Sequence, residues 1–236
     1  MHFWAEISLK VEWALYNFTD ARHQITSVII PGSVTHIRTM AFAGNRLTNV
    51  IIPDSVTYIG NRAFASNELT TVTISNAITR IEIMAFADNQ LTNVTIPNSV
   101  SSIGNFAFEN NQLSSIIIPE NVTNIGGSVF RNNRLTNLVI PNNTIEFIPS
   151  FVFENNRLTS VVIPDNIVGI GYRTFSGNQI SSITIGNDVR FSSNPWTGEG
   201  PADSGFGSAF VDFYESQGRR AGAYTYSNGN WNVQFR

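Results

Sequence analysis

A unit of 22 residues repeats seven times between residues 25 and 179, and one copy is lengthened to 23 residues. Each unit begins with an aliphatic residue, continues as Val-x-Ile and usually Pro, and then has Val-x-x-Ile, a small residue beside Phe, and Asn. An eighth, truncated unit opens at Ile180. A unit this short cannot bury a core of its own, so neighbouring units must stack column on column. The period therefore predicts a solenoid of about eight coils.

The Val-x-Ile segment places two side chains on one face of a strand and the residue between them on the other face. Stacked units pair these segments as a parallel sheet with about 4.8 Å between coils, so eight coils predict a sheet about 35 Å across. Pro follows most of these segments and ends the strand, because it cannot continue the ladder. The second half of the unit is too short for a crossover helix. We expect a mostly β, curved solenoid whose parallel sheet lines the concave face and whose convex segments are short and non-helical or 3-10.

One Asn stands two residues before each new strand, in an unbroken column: Asn45, Asn67, Asn89, Asn111, Asn133, Asn156 and Asn178. A buried Asn at a bend can bond the backbone groups that the turn leaves unpaired. This column predicts a structural ladder and not a ligand site. The extra residue of the sixth unit falls between Pro141 and Ile145, in a polar stretch, and predicts a longer loop.

The two ends depart from the repeat. Residues 1–24 are aromatic in a polar setting and predict an N-terminal cap, residues 25–189 hold the repeats, and residues 190–236 predict a C-terminal cap. Aromatic residues at helical spacing over 208–217, followed by Gly218, indicate a short helix. An Asn228-Gly229 turn then indicates a hairpin. An alternative for this tail is sugar stacking by Trp196, Tyr224, Tyr226 and Trp231.

Composition excludes several classes of function. A net charge of −3 without a basic run argues against a nucleic-acid partner. The absence of Cys excludes disulfides, thiol catalysis and cysteine metal sites. The three His residues lie within the first 36 positions without acidic or Cys partners at metal spacing. We therefore predict no enzyme activity, no catalytic residues, no metal and no cofactor. No window is long and apolar enough for a transmembrane segment, and the first residues show no signal peptide.

The outward residues of the sheet are the candidate binding face. The column between Val and Ile points away from the core, and the column two residues earlier points the same way. The candidate residues are Ile29, Ile51, Thr73, Thr95, Ile117, Val139 and Val162 in the first column and Asn49, Asn93 and Asn137 in the second. Branched residues suit any strand surface, which is one explanation of the aliphatic members. The other is an exposed apolar patch that forms an interface.

Two stretches show a family resemblance: Leu-Thr-Asn-Val-Ile-Ile-Pro-Asp-Ser-Val-Thr-Tyr-Ile-Gly-Asn-Arg-Ala-Phe over 47–64 and its counterpart over 91–108. They resemble the BspA-like class of leucine-rich repeats over residues 25–189. That class often has Cys near the position of this Asn and a repeat one residue longer. The Asn-x-Leu-Thr form and the tail resemble the spirochaetal branch, including treponemal leucine-rich repeat proteins.

The resemblance implies a bacterial scaffold at the cell surface, in the periplasm or secreted, which mediates adhesion or protein–protein interaction and has no conserved catalytic residues. If such proteins cross a membrane, the absence of a signal peptide predicts that this sequence is either a mature form or a form shortened for expression. Two functions stay open. The concave sheet could bind a protein or glycan ligand. Alternatively, the protein is a homo-oligomer that associates through the aliphatic residues of the sheet.

Overall fold

The computed structural model of the chain describes residues 24–142, 145–192 and 205–236. The predicted N-terminal cap therefore lies almost entirely outside the described residues, as does Trp196. In chain order the elements are β1 (His36–Ile37), β2 (Asn49–Ile51), β3 (Tyr58–Ile59), β4 (Thr71–Thr73), β5 (Arg80–Ile81), β6 (Ser102–Ile103), β7 (Ser115–Ile117), β8 (Asn124–Ile125), β9 (Asn137–Val139), β10 (Phe147–Ile148), β11 (Ser160–Val162), β12 (Gly169–Ile170), β13 (Ser182–Ile185), β14 (Arg190–Phe191), α1 (Ser208–Ser216), β15 (Gly222–Ser227) and β16 (Asn230–Phe235).

The repeats form a β-solenoid of about seven turns with parallel sheets, which confirms the predicted architecture and is close to the eight coils expected from the period. Each coil can contribute to two ladders. The first ladder contains the Val-x-Ile strands β2, β4, β7, β9, β11 and β13. The second contains the two-residue strands, which end at the following Ile column, except that β14 ends at Phe191. In both ladders, residues one repeat apart are Cα partners, for example Val50 with Val72 and Ile37 with Ile59.

The first ladder is interrupted where the period predicts one continuous sheet. Strands β2 and β4 form one sheet, β7 and β9 a second, and β11 and β13 belong to a third. The coil between the first two contributes no strand, although hydrogen bonds still link it on both sides. The Thr92 N–H donates to the Thr70 carbonyl at 3.4 Å, and the Ser114 N–H donates to the Thr92 carbonyl at 3.3 Å. The second interruption, between β9 and β11, coincides with the lengthened sixth unit.

The core consists of the repeated aliphatic and Phe columns, which are buried from coil to coil. Rings of the Phe column stack along the solenoid: the centroids of Phe64 and Phe86 are 5.6 Å apart, with planes within 1° of parallel. Such contacts add about 0.5–1.5 kcal/mol per pair beyond area burial. Each coil alone would leave its ring exposed, so stability grows with the contacts between coils.

The turn before each Phe contains a left-handed residue that is not Gly. The column consists of Met40, Arg62, Met84, Phe106, Ser128, Phe151 and Arg173, with φ between 53° and 63°. This conformation turns alternate N–H groups toward the next coil. Met40 donates to the Asn61 carbonyl at 2.9 Å, and Phe42 donates to the Ala63 carbonyl at 2.8 Å. The bonds between coils stabilise a backbone conformation that these side chains disfavour.

The predicted Asn ladder is confirmed. The Asn111 side chain is buried, and its Nδ2 group lies 3.0 Å from the Phe86 carbonyl, 3.2 Å from Phe108 O and 3.2 Å from Glu109 O. Its Oδ1 accepts from the Leu91 N–H at 3.0 Å. The same pattern recurs along the column, so each amide joins its own turn to the preceding coil and pairs groups that would otherwise be buried without a partner.

The C-terminal cap contains the predicted helix and hairpin. Residues Asn228 and Gly229 have φ of 51° and 81°, as a tight two-residue hairpin turn requires. Strand β15 pairs antiparallel with β13, so the hairpin continues the first ladder beyond the last coil. Helix α1 covers the end of the core with Phe210 and Tyr214, both buried. The Tyr214 hydroxyl donates to the Gly186 carbonyl at 2.6 Å and accepts from the Val189 N–H at 3.2 Å.

Candidate binding face

The strand face is defined here as the outward side chains of the first ladder, and all ten predicted residues on it are exposed. Strand alternation causes this exposure, because the two neighbouring columns, Val and Ile, point into the core. Five aliphatic members form what we call the aliphatic stripe, with exposed fractions of 92% for Ile29, 71% for Ile51, 69% for Ile117, 54% for Val139 and 62% for Val162.

Parallel register sets the neighbours within the face. Ile117 is the Cα partner of Val139, and Ile51 is the partner of Thr73. In the polar column, Asn49 is the partner of Thr71 and Ser115 is the partner of Asn137. The structure therefore brings the predicted residues together as adjacent rows. Thr73 and Thr95 separate the aliphatic stripe into parts at either end.

Three predicted residues lie outside regular strands. Ile29 belongs to the first described coil, and Asn93 and Thr95 belong to the coil without a strand. Their side chains are exposed like those of the other predicted residues. The face is therefore continuous as a surface of the stacked coils, although the hydrogen-bonded sheet beneath it is divided.

The strand face is uncharged, since neither of its two columns contains an acidic or basic residue. Charges lie at its rim, in the column three residues before each strand: Arg46, Glu68, Arg134 and Arg157. Arg46 Nε lies 2.8 Å from Glu68 Oε1 in an exposed ion pair of neighbouring coils. Exposed pairs of this kind contribute little to stability, because solvent and salt screen them. Desolvating the strand face removes no charge from water, which favours a close apolar contact.

Hydroxyls next to the face already have partners. The Thr70 hydroxyl donates to the Thr48 carbonyl at 3.2 Å, and the Thr136 hydroxyl donates to the Ser114 carbonyl at 3.3 Å. These bonds repeat between coils, so the Thr and Ser column before the strand supports the backbone. In the polar column, the Asn49 and Asn137 amides donate to the adjacent Thr48 and Thr136 hydroxyls at 3.5 Å and 3.4 Å, and both amides are exposed.

The hairpin extends the strand face, which the sequence does not predict. Register pairs Ser182 with Thr225 and Thr184 with Ala223, and then Thr225 with Asn232 and Ala223 with Gln234. These residues continue the polar and the branched columns across two further strands. The only sequence signal is the alternation of amide and apolar residues in β16, which a capping hairpin would show as well.

The aromatic residues of the tail mostly point inward. Tyr224 is fully buried, and Trp231 packs on Phe210 with ring centroids 4.9 Å apart. Tyr226 lies beside Trp231 at 5.4 Å between centroids and is 47% exposed. Two of the four rings proposed for sugar stacking therefore form the core of the cap.

The carboxylates of Glu109 and Glu154 lie beside arginine side chains of the coils. Burial raises the pKa of Glu109, with Arg131 opposing the rise. Glu154 is buried, with Oε2 2.6 Å from Arg131 Nε, although the angle is not that of a hydrogen bond. Its Oε1 lies 3.2 Å from Arg173 Nη2.

In residues 24–142, 145–192 and 205–236, no three His, Asp or Glu side chains are grouped as a metal site would require.

The described residues form a pocket away from the strand face. A pocket of about 340 Å³ lies along the second ladder, lined by Asn124, Phe147, Pro149 and neighbouring residues. It contains one carboxylate, that of Glu146.

Across the part of the chain that the structure describes, no helical segment combines the length and the apolar character needed to cross a bilayer.

Comparisons identify the class of protein. The BspA type leucine rich repeat region matches this chain in six copies, over residues 14–136 and 79–195. The chain belongs to the BspA-type leucine-rich repeat family, which confirms the resemblance seen in the sequence. None of the curated proteins compared with the chain matches it.

Solved structures of leucine-rich repeat proteins are also similar to the chain. A protein from Bacteroides ovatus has 21% identity and a TM-score of 0.39, with 69% of this chain and 63% of that chain covered. A cell surface protein from Faecalibacterium prausnitzii has 24% identity and a TM-score of 0.46, with 64% and 43% covered. A T. pallidum protein has 18% identity and a TM-score of 0.46, with 78% and 77% covered. This chain thus spans less than two thirds of the first two proteins.

Proposed function

We propose that the protein is a non-enzymatic binding scaffold of the bacterial surface, periplasm or secreted fraction, and that its strand face binds a protein or glycan ligand. The family consists of repeat scaffolds, and a cell surface protein is among the similar structures. The observation that carries the proposal is the strand face itself. Within the described part of the chain, the repeated aliphatic side chains of this face are largely exposed, while the neighbouring Val and Ile columns point into the core.

An uncharged face with an apolar row beside an amide and hydroxyl row fits a ligand that offers both apolar area and hydrogen-bonding groups. Contact with the aliphatic stripe removes apolar surface from water at about 25 cal/mol per Å². The polar column, including Asn49, Asn93 and Asn137, supplies donors and acceptors that select among ligands. Protein surfaces and glycans both offer this combination.

A binding screen tests the proposal. Wild-type protein is applied to immobilised extracellular-matrix proteins, glycan arrays and peptidoglycan, alongside the double variant Ile51→Asp with Val139→Asp. The matched control is Ile83→Asp with Val168→Asp, because these residues are 42% and 57% exposed and lie off the strand face. We expect the strand-face variant alone to lose binding. Equal binding by all three proteins would place the site on another surface.

Self-association through the aliphatic stripe is the second candidate, favoured by its exposed Ile and Val side chains. A patch of this kind is typical of interfaces between copies. Light scattering over a range of concentrations separates the two functions. Oligomers that dissociate in the Ile51→Asp and Val139→Asp variant support self-association through the stripe, whereas oligomers that persist unchanged in that variant exclude it.

A further inference from the structure

Strand β16 is the outer edge of the four-stranded sheet in the order β11, β13, β15 and β16. It pairs with β15 on one side over six residues. Within the described chain, none of its backbone groups bonds to another strand on the opposite side. An edge of this length presents a row of unpaired donors and acceptors, which is a template for a further strand.

The register identifies the free backbone groups. A two-residue turn makes its flanking pair, Ser227 and Asn230, a hydrogen-bonded pair. The same phase places Asn232 and Gln234 toward β15, and the Arg236 N–H continues it by donating to the Ala221 carbonyl at 3.2 Å. The N–H and C=O groups of the alternate residues, Trp231, Val233 and Phe235, therefore point outward from the sheet.

Natural edge strands are protected by charged side chains, Pro, bulges or short length. Strand β16 has the sequence Asn-Trp-Asn-Val-Gln-Phe, without a charged residue or Pro, and its register with β15 runs without a bulge. At six residues it is among the longest strands of the described chain. This edge lacks the features that prevent pairing.

We propose that β16 pairs antiparallel with β16 of a second copy of this chain, about a twofold axis through Val233. In this register the free backbone N–H and C=O groups of Trp231 bond to those of Phe235 of the second copy. Those of Val233 bond to Val233 of the second copy. Asn232 lies opposite Gln234 of the second copy, so amides face amides. Arg236 lies opposite Asn230 of the second copy, so no like charges meet.

A second copy fits this edge because a twofold axis perpendicular to the sheet keeps equivalent side chains on the same side. The apolar row of Trp231, Val233 and Phe235 stays on the side of the helical cap in both copies. The pairing occupies both free edges at once and therefore closes as a dimer. The two solenoids meet cap to cap, and their strand faces point the same way. If the proposed function holds, the dimer presents two binding faces to one surface.

Sedimentation velocity of the full chain over a range of concentrations tests the pairing. Two edge variants are compared: Asn232→Lys with Gln234→Lys, and Asn232→Glu with Gln234→Glu. Both side chains are exposed on the strand-face side, so the bonds between β15 and β16 remain. The matched control is Gln90→Lys with Gln179→Lys, which adds the same charge at exposed positions away from the edge.

We expect wild type and control to form a dimer, and each edge variant alone to dimerise at least tenfold more weakly. An equimolar mixture of the Lys and Glu variants should recover the dimer, because opposite charges then face each other. A wild type that stays monomeric up to about 1 mM contradicts the proposal. So does a dimer that the edge variants leave unchanged, or one that dissociates only in the Ile51→Asp and Val139→Asp variant.

Disulfide trapping checks the register independently, since the chain has no Cys of its own. One preparation contains Asn232→Cys and the other contains Gln234→Cys, and the two are mixed under mild oxidation. We expect the crosslink between unlike chains to dominate over crosslinks between like chains. If unlike crosslinks only equal the two kinds of like crosslink taken together, which is the result of random pairing, the register through Val233 is contradicted. Binding assays are separate from both measurements, so failure of the edge pairing and failure of the proposed function are distinguishable.

Discussion

Phe206 stacks on Phe175 with ring centroids 4.8 Å apart and planes 16° apart, and so adds an eighth ring to the Phe column from beyond the repeats. The preceding Gly205 makes this possible. It has φ of 84°, and a Cβ there would come within 1.9 Å of the Ser176 backbone nitrogen. The cap is thus joined to the solenoid through the same column that joins one coil to the next.

Replacing Phe206 by Ala should destabilise the cap. The ring is buried, and truncating a buried Phe costs about 3–5 kcal/mol. We expect hydrogen exchange of the α1 amides to accelerate while the amides of the central coils stay protected. The control is Phe147→Ala, because that ring is 46% exposed and its loss should cost less than about 1 kcal/mol. Equal losses from the two variants would contradict a special role of the eighth ring.

Replacing Asn111 by Ala should lower the free energy of unfolding by about 2–4 kcal/mol. The Leu91 N–H and the carbonyls beside Asn111 would lose a partner while remaining buried, and each unsatisfied group costs about 1–3 kcal/mol. Urea unfolding measures the change. The exposed Asn124 supplies the control, since Asn124→Ala should alter stability by less than about 0.5 kcal/mol. If Asn111→Ala and Asn124→Ala change the free energy of unfolding equally, the Asn column does not stabilise the coils.

Gly171→Ala should also destabilise the coil, because a Cβ would lie 2.4 Å from the Ser150 nitrogen of the preceding coil. Overpacking against backbone costs about 1–3 kcal/mol. Gly32→Ala is the matched control, since nothing lies within 4 Å of its added Cβ. Thermal unfolding of the two variants should differ by several degrees, with Gly171→Ala the lower. Similar midpoint temperatures of the two variants would contradict close packing of Gly171 against the preceding coil.

High pH should weaken the attachment of the cap. Burial raises the pKa of Tyr214 to about 12 from an ordinary value of 10. A folded pKa above the unfolded one means that its contribution is fully present below pH 10 and is lost as the pH rises toward 12. Tyr214→Phe lacks both the hydroxyl bonds and this titration.

Urea midpoints between pH 8 and pH 12 measure that loss. We expect the stability difference between wild type and Tyr214→Phe to be largest at pH 8 and to shrink above pH 10. Burial also raises the pKa of Tyr224, so part of the decline should persist in the variant. A difference that stays constant across the range would contradict the attachment of the cap through the Tyr214 hydroxyl.

Features repeated in every unit were predictable from the sequence. The Asn column and the Phe column occur at a fixed period, and stacking gives each member the same neighbours. The hairpin was predictable because Asn228-Gly229 has a strong local preference for a tight turn. The exposed strand face followed from the alternation of side chains between the buried Val and Ile columns.

Features that depend on contacts between coils were not predictable. Met40 and Phe106 belong to a left-handed column with no preference for that conformation, because bonds to the next coil determine it. Phe206 lies beyond the repeats, so the period does not predict its stacking on Phe175. The pairing of β15 with β13, which extends the candidate face, depends on how the cap folds back.

The most direct test of the strand face as the binding site measures binding and stability on the same variants. The repeated Val, Ile, Phe and Asn columns hold the coils together, and the outward columns of the strand face are available for a ligand. For a ligand found in the screen, we expect Ile51→Asp with Val139→Asp to weaken binding at least tenfold while its free energy of unfolding stays within about 1 kcal/mol of the value for Ile83→Asp with Val168→Asp. Unchanged affinity in the strand-face variant, or an equal loss of affinity in both double variants, would contradict ligand binding by the strand face.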